Sequence, residues 1–497
     1  MHKQPGFLFL YLPYMFQFKK TNNVTDAQRI RQSKFRSFIR GIVIAIKGSE
    51  QDYTSIPLGR SIFLLAVPMV LEMMMESLFA IVDIFFVSRL GSDAIATVGL
   101  TESMMTLVYS IGFGLSAGTT AIVSRRIGEK NKEGASIAAL QAILTGIFVS
   151  LFLAIPGLFF SENILRLMGA QEKLIAENHM FTAIMFSGNV FILLLFIINA
   201  AFRSAGDAAI AMRVLWYANI MNMILDPCLI FGLGPFPKLG IEGAAIATTT
   251  GRGLAVMYQL YLIFSGKRGI QLLWSQIKVK WNILSQLIKL SLGGTLQNLI
   301  ATTSWVVMVR TLSVFGSDVV AGYTIAIRII VFSLLPSWGL SNAASTLVGQ
   351  NLGAGKPERA EKAIWITSIF NMIVMGIAGS IFILFPEMFI KIFANAKDLD
   401  VIAKGATGLK MVSFGFIFYG LGMVMVQALN GAGDTYTPTI INFCCFWLLE
   451  IPLAYVLAIH TGLSENGVYI AIVTAESIMA IVGFLVLRRG RWKIMKV

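Results

Sequence analysis

The chain has 497 residues, 56% of them hydrophobic and 13% charged, with a mean hydropathy of +0.75. A water-soluble domain carries about 25% charged residues, so a chain this apolar cannot cover itself in water and must take lipid as its solvent. The net charge of +14 implies no nucleic-acid partner, because the basic residues sit in short clusters between apolar runs, as the positive-inside rule requires.

Residues 1–57 form an N-terminal extension. Its apolar run at 7–16 is too short to cross a bilayer, and no small-residue cleavage site follows it. Residues 34–47 read as a basic amphipathic helix suited to the cytoplasmic leaflet. An upstream translation start that adds a functionless extension accounts for the same residues equally well. A bilayer core takes about 20 apolar helical residues. By that measure spans fall near 62–87, 95–123, 135–158, 176–201, 208–232 and 241–265. A connector at 267–282 follows, with Lys267, Arg268, Lys278 and Lys280. Six more spans lie near 284–312, 319–347, 361–385, 402–428, 436–460 and 466–487, ahead of a basic tail at 491–497. The lobes are therefore expected at 58–266 and 283–490.

Arg125, Arg126, Lys130 and Lys132 follow span two, Arg203 span four, and Lys356, Arg359 and Lys362 span eight. With the connector and the tail (Arg488, Arg489, Arg491, Lys493, Lys496), they put both termini in the cytoplasm of a multi-pass protein of the cell membrane. The opposite loops carry fewer basic residues, except after span nine, where Lys391, Lys397 and Lys404 run against the trend. Cys228, Cys444 and Cys445 all lie in apolar stretches and suggest packing rather than disulfides or a metal.

An internal repeat organises the spans. Gly91-Ser92-Asp93 recurs as Gly316-Ser317-Asp318, and Gly114-Leu115-Ser116 through Gly128 recurs as Gly339-Leu340-Ser341 through Gly353, both at an offset of 225. Ala205-Gly206-Asp207 recurs as Ala432-Gly433-Asp434, and Gly243, Ile246 and Ala247 recur as Gly467, Ile470 and Ala471. Six spans per repeat insert both halves in the same orientation. The expected fold is all-α integral membrane, with twelve transmembrane helices in two six-helix bundles related by a parallel repeat, as in secondary transporters. No GxxxxGK[ST] loop occurs, so an ion gradient or the substrate's own gradient is the expected energy source.

Acids inside spans are costly and mark candidate sites. Glu72, Glu76 and Asp83 fall within about 40° of one face of the first span. In the fifth span Asn222 and Asp226 are four apart on one face, and Pro227 frees the carbonyl of Met223 from its helix bond. Thr248 lies in the sixth span. Two carboxylates, an amide and a hydroxyl are hard oxygen donors suited to Na+ or a shared proton. Protonated acids and ordinary interhelical hydrogen bonds account for the same residue types. At the repeat offset Asp83 corresponds to Met308 and Glu72 to Gln297, so the coupling chemistry is expected in the first lobe. Glu450 stands one residue out of register with Asp226. In the second lobe Arg310 and Arg328 lie within or at the ends of spans, while Trp305, Tyr323, Trp338, Phe416, Tyr419 and Met423 are candidates to line an apolar cavity.

Val67-Pro68 through Val82-Asp83 resembles the first helix of the multidrug and toxic compound extrusion family. So do Asn222 with Leu225-Asp226-Pro227, Gly243-Ala244-Ala245 with Thr248, Gly339-Leu340-Ser341 with Gly349-Gln350-Asn351, and Leu429-Asn430-Gly431-Ala432-Gly433-Asp434. The resemblance covers about residues 58–490. It implies two lobes working by alternating access and expelling small amphipathic cations in exchange for Na+ or H+. It also implies a cation site in the N-terminal lobe at Asp83, Asn222, Asp226 and Thr248, and a first helix that bends at Pro68. Glu72, Glu76 and Glu102 lie outside the general pattern and are accessory candidates. No cofactor other than the coupling ion and no obligate protein partner is expected. A lipid or lipid-linked oligosaccharide flippase is the alternative, and it calls for a basic cavity. A membrane enzyme calls for a catalytic cluster that the sequence does not contain.

Overall fold

A computed structural model of the chain describes residues 39–48, 51–266, 269–272, 278–394, 398–495 and 497. The apolar run at 7–16, the start of the basic segment at 34–47, and Lys267, Arg268, Lys397 and Lys496 lie outside these residues. Among the described residues twelve long helices follow one another. They are α1 (Leu58–Val87), α2 (Ser92–Gly128), α3 (Lys132–Phe159), α4 (Glu172–Ser204), α5 (Ala208–Phe231) and α6 (Ile241–Phe264). The second set is α7 (Trp281–Leu312), α8 (Ser317–Gly353), α9 (Pro357–Leu384), α10 (Leu399–Ser413 and Phe416–Ala432), α11 (Tyr436–His460) and α12 (Glu465–Arg488). Nine of them are long and apolar enough to cross a membrane as single helices, and α10 adds a tenth although its halves meet at 55°. The expected span at 402–428 is therefore broken, with Gly415 inside the break. By contrast α1 runs uninterrupted through Pro68.

The repeat extends to backbone geometry. Helices α2 and α8 are both 37 residues long, α3 and α9 both 28, and α6 and α12 both 24. Gly91 and Gly316 open α2 and α8 with φ of 106° and 108°. Gly240 and Ser464 open α6 and α12 with φ/ψ of 58°/−133° and 51°/−138°, so a serine is held where the first half uses glycine. Each bundle has its own apolar core. Leu140, Ile197 and Phe202 are buried in the first, and Met308, Tyr323 and Phe416 in the second.

The bundles meet along a seam of small residues. A Cβ on Gly128 would lie 2.0 Å from the carbonyl oxygen of Gln350, and one on Gly353 would lie 2.1 Å from that of Arg125. These contacts are related by the repeat, since 128 answers to 353 and 125 to 350. The same end carries the basic clusters and is tied by polar bonds. Arg125 donates to the carbonyls of Ala432 (3.1 Å) and Met495 (3.0 Å), Arg126 to Val497 (3.2 Å), and Gln350 to Ser204 (2.8 Å). Ala432 and Ser204 are the last residues of their helices, where carbonyls have no intrahelical partner.

A segment ahead of α1 lies across this end. Residues 39–47 are helical. Tyr53 then donates its hydroxyl to the carbonyl of Gly206 in the first lobe (3.1 Å). Arg359 and Lys356 of the second lobe donate to the carbonyls of Tyr53 (3.2 Å) and Thr54 (3.0 Å). Burial, with Asp207 nearby, pushes the Tyr53 phenol up, so it stays a donor throughout the physiological range. Asp52 fixes the turn by accepting from the Thr54 amide (2.9 Å) and hydroxyl (2.6 Å).

Candidate ion site and central cavity

Helices α1, α5 and α6 bring Asp83, Asn222, Asp226 and Thr248 together. One turn of α5 stacks Asn222 over Asp226, and the Asn222 amide donates to Asp226 Oδ1 (3.0 Å) and to Thr248 Oγ1 (3.3 Å). Asp83 lies against Thr248 and Asp226. Asn222 and Asp226 are fully buried. Three acceptor oxygens here have no hydrogen-bond partner: Asp83 Oδ1, Asn222 Oδ1 and Asp226 Oδ2. Unpaired buried acceptors are costly, and oxygens of this kind suit a proton or a hard monovalent cation. The set fits Na+ as well as H+. With two carboxylates it differs from a transition-metal centre, and no cluster of three or more His, Cys, Asp or Glu suited to a metal occurs among the described residues.

The three accessory candidates part company. Glu72 is buried in an ion pair with Arg203 (2.6 Å), accepts from Asn199 (3.1 Å), and leads through Asn199 to Gln259 (2.5 Å). Arg203 also donates to Ser116 (3.3 Å). This arginine marks orientation in the sequence as a loop residue, yet it belongs to the last turn of α4 and its side chain reaches back into the bundle. Glu76 is half-exposed and pairs with Arg252 at 3.6 Å. Glu102 is exposed on α2 and faces Arg252 and, across the cleft, Arg328 of α8.

Arg252 is the residue that the sequence reading missed. It lies mid-way along α6, 6% exposed, under Phe79 with its guanidinium 4.7 Å from the ring centre, and donates to Tyr109 (3.4 Å). It serves Glu76 and also interacts with Asp83. A single arginine inside an apolar span was the available signal, on the rule that singled out the acids.

A cavity of about 290 Å³ lies between the lobes. On the first lobe it is lined by Glu72, Glu76, Arg203 and Arg252, and on the second by Trp305, Trp338, Tyr419, Met423 and Glu476. Tyr323 and Phe416 are instead buried in the core of the second lobe. Asp83, Asn222, Asp226 and Thr248 are not in this lining; Arg252 belongs to it and adjoins Asp83. Where Glu72 and Arg203 pair in the first lobe, the second has their repeat counterparts Gln297 and Asn430, with the Gln297 amide donating to Asn430 (3.1 Å).

Known proteins share this fold and this repeat. The MatE family model matches residues 68–228 and 295–456, the two halves of the repeat. The chain is 26% identical over 432 residues to a probable multidrug resistance protein NorM of Thermotoga maritima, covering 86% of this chain and 92% of that protein. It is 28% identical over 438 residues to an FAD transporter of Shewanella oneidensis, covering 88% and 95%. Among solved structures, the outward-facing conformation of a multidrug resistance MATE family transporter superposes with a TM-score of 0.84 at 23% identity, covering 90% of this chain and 99% of that one.

Proposed function

The chain belongs to the MatE family of multidrug efflux transporters, and on that premise we propose that it is a secondary antiporter exporting small amphipathic cations in exchange for Na+ or H+. The observation that carries this reading is the set of unpartnered, buried acceptor oxygens on Asp83, Asn222 and Asp226. An ion there supplies the missing positive charge. Arg252 bridges that event to the cavity, because the same guanidinium serves Asp83 and Glu76. Once Asp83 is neutralised, Arg252 is left to Glu76, and α1 and α6 are held together differently. Helix α1 passes the change to the second lobe, since it packs on α8 where a Cβ on Gly339 would lie 2.7 Å from the Val70 nitrogen.

The basic end is cytoplasmic on this reading, so the sealed seam corresponds to an outward-facing state. Substrate and ion shift the exchange only through their differential affinity for the two states. Three acids and two arginines line the cavity, and Glu72 and Glu76 each engage one of those arginines. That balance favours cationic cargo over a lipid phosphate, or over the flavin dinucleotide that the Shewanella relative's name specifies.

Ethidium efflux from proteoliposomes tests the proposal, with a Na+ gradient and a pH gradient imposed separately. One gradient is expected to drive efflux, and Asp83→Asn to abolish it. Efflux by Asp83→Asn at the normal rate against a concentration gradient would sink it.

A further inference from the structure

The second lobe buries two acids that the ion site does not use. Glu450 of α11 is 2% exposed and Glu476 of α12 is 5% exposed. They interact with each other, and Tyr419 of α10 contacts Glu476. Tyr323 of α8 and Ser304 of α7 face Glu450. The titratable groups facing the pair from neighbouring helices are Tyr323 and Tyr419, with Cys445 beside them on α11. None of these is a cation.

The first lobe behaves differently, since Glu72 has Arg203 and Glu76 has Arg252. Helices α6 and α12 are equally long and begin on the same backbone turn, so Glu476 occupies in the second lobe the place of Arg252 in the first. The repeat has exchanged a guanidinium for a carboxylate. No ion pair to Glu450 or Glu476 occurs among the described residues. Two adjacent carboxylates in an apolar bundle cannot both stay ionised without a counter-charge.

Three polar atoms around them point to a ligand. The Tyr323 hydroxyl, on a residue 2% exposed, faces Glu450 without a partner. Glu476 Oε2 and Asn442 Oδ1 also lack partners, and both residues line the central cavity beside Trp305 and Phe446. A carboxylate in a cavity wall that also carries aromatic rings suits a lipophilic monovalent cation, which combines charge pairing with cation–π contact.

We propose that Glu476, backed by Glu450, anchors the positive centre of the transported substrate in the second lobe, and that substrate binding displaces one proton from this pair. The inference rests on the antiporter reading and assigns the cargo a place separate from Asp83 and Asp226. The charges balance: one monovalent cation enters the pocket, and one proton leaves the Glu450–Glu476 pair for cavity water.

The test uses the purified full chain in detergent with tetraphenylphosphonium, and needs no gradient. Calorimetry gives affinity, and a pH dye in weak buffer counts protons. About one proton released per cation bound is expected. Glu476→Gln should bind at least about tenfold more weakly and release none, and Glu476→Asp should keep the release. On the wild type, a hydrophobic carbodiimide should label Glu476, as read by mass spectrometry, and tetraphenylphosphonium should protect it; this arm holds even if Glu476→Gln misfolds. Wild-type affinity and proton release in a folded Glu476→Gln would overturn the proposal. So would labelling of Glu476 that ignores the cation, or a wild type that binds none. Gradient-driven ethidium efflux lost in Asp83→Asn would then leave the antiporter reading standing.

Discussion

Removing either partner of the Glu72–Arg203 pair should destabilise the protein strongly, and replacing both should not. Both side chains are buried, with a 2.6 Å contact between them. In Glu72→Leu, Arg203 keeps only the 3.3 Å bond to Ser116. In Arg203→Leu, Glu72 keeps only Asn199 at 3.1 Å. An uncompensated buried charge costs about 3–5 kcal/mol, about 2.2 to 3.7 decades in the folding constant. The second lobe supplies the matching double change: Gln297 and Asn430 stand at the equivalent positions and hydrogen-bond at 3.1 Å. Glu72→Gln with Arg203→Asn should therefore recover all but about 1–2 kcal/mol, because neutral amides carry a far smaller desolvation cost. Equilibrium unfolding by SDS titration in mixed micelles measures each variant. Single variants costing less than about 1 kcal/mol, or a double variant costing as much as either single, would refute the reasoning.

Arg252→Met should abolish gradient-driven ethidium efflux while the protein still elutes as one gel-filtration peak, and Arg252→Lys should retain part of it; wild-type efflux in Arg252→Met would remove this residue from the coupling. Gly128→Ala places a methyl 2.0 Å from a carbonyl oxygen across the seam, whereas Gly99→Ala on the same helix meets nothing within 4 Å. The first should block transport and expose a cysteine placed at Ser345 to thiol reagents from the basic end, and the second should leave both readouts unchanged. Ser464 holds φ 51° where its counterpart is Gly240, so Ser464→Gly should stabilise by about 1 kcal/mol, as SDS titration would show.

Much of this was legible in the sequence because the relevant signals are local. The apolar runs located the spans, and a spacing of four put Asn222 and Asp226 on one face. Repeated glycine motifs paired the halves. What escaped depends on contacts between helices. Arg252 and Glu476 are lone charges in separate spans, and nothing local says that one meets Glu76 and the other Glu450. Arg203 looked like a loop marker because a span end was set by hydropathy. Its helix continues to Ser204, and its long side chain folds back to Glu72. The 55° bend in α10 left only Gly415 as a hint.

The repeat makes the seam symmetric and leaves the chemistry asymmetric, and the energies suggest why both lobes need a site. Opening the basic end breaks four bonds between the first lobe and the second lobe with its C-terminal tail: Arg125 to Ala432 and Met495, Arg126 to Val497, and Gln350 to Ser204. At a net 0.5–1.5 kcal/mol each, they favour the sealed state by about 2–6 kcal/mol. One ligand typically couples to such a change by about 1–3 kcal/mol, whereas reversing a population from 1:99 to 99:1 takes about 5.5 kcal/mol. On the antiporter reading, a single ion at Asp83 and Asp226 therefore falls short of a full reversal. With the cation at Glu476 as proposed, ion and cation each favour a different state, and their two couplings together reach about 2–6 kcal/mol, which brings a full reversal within range.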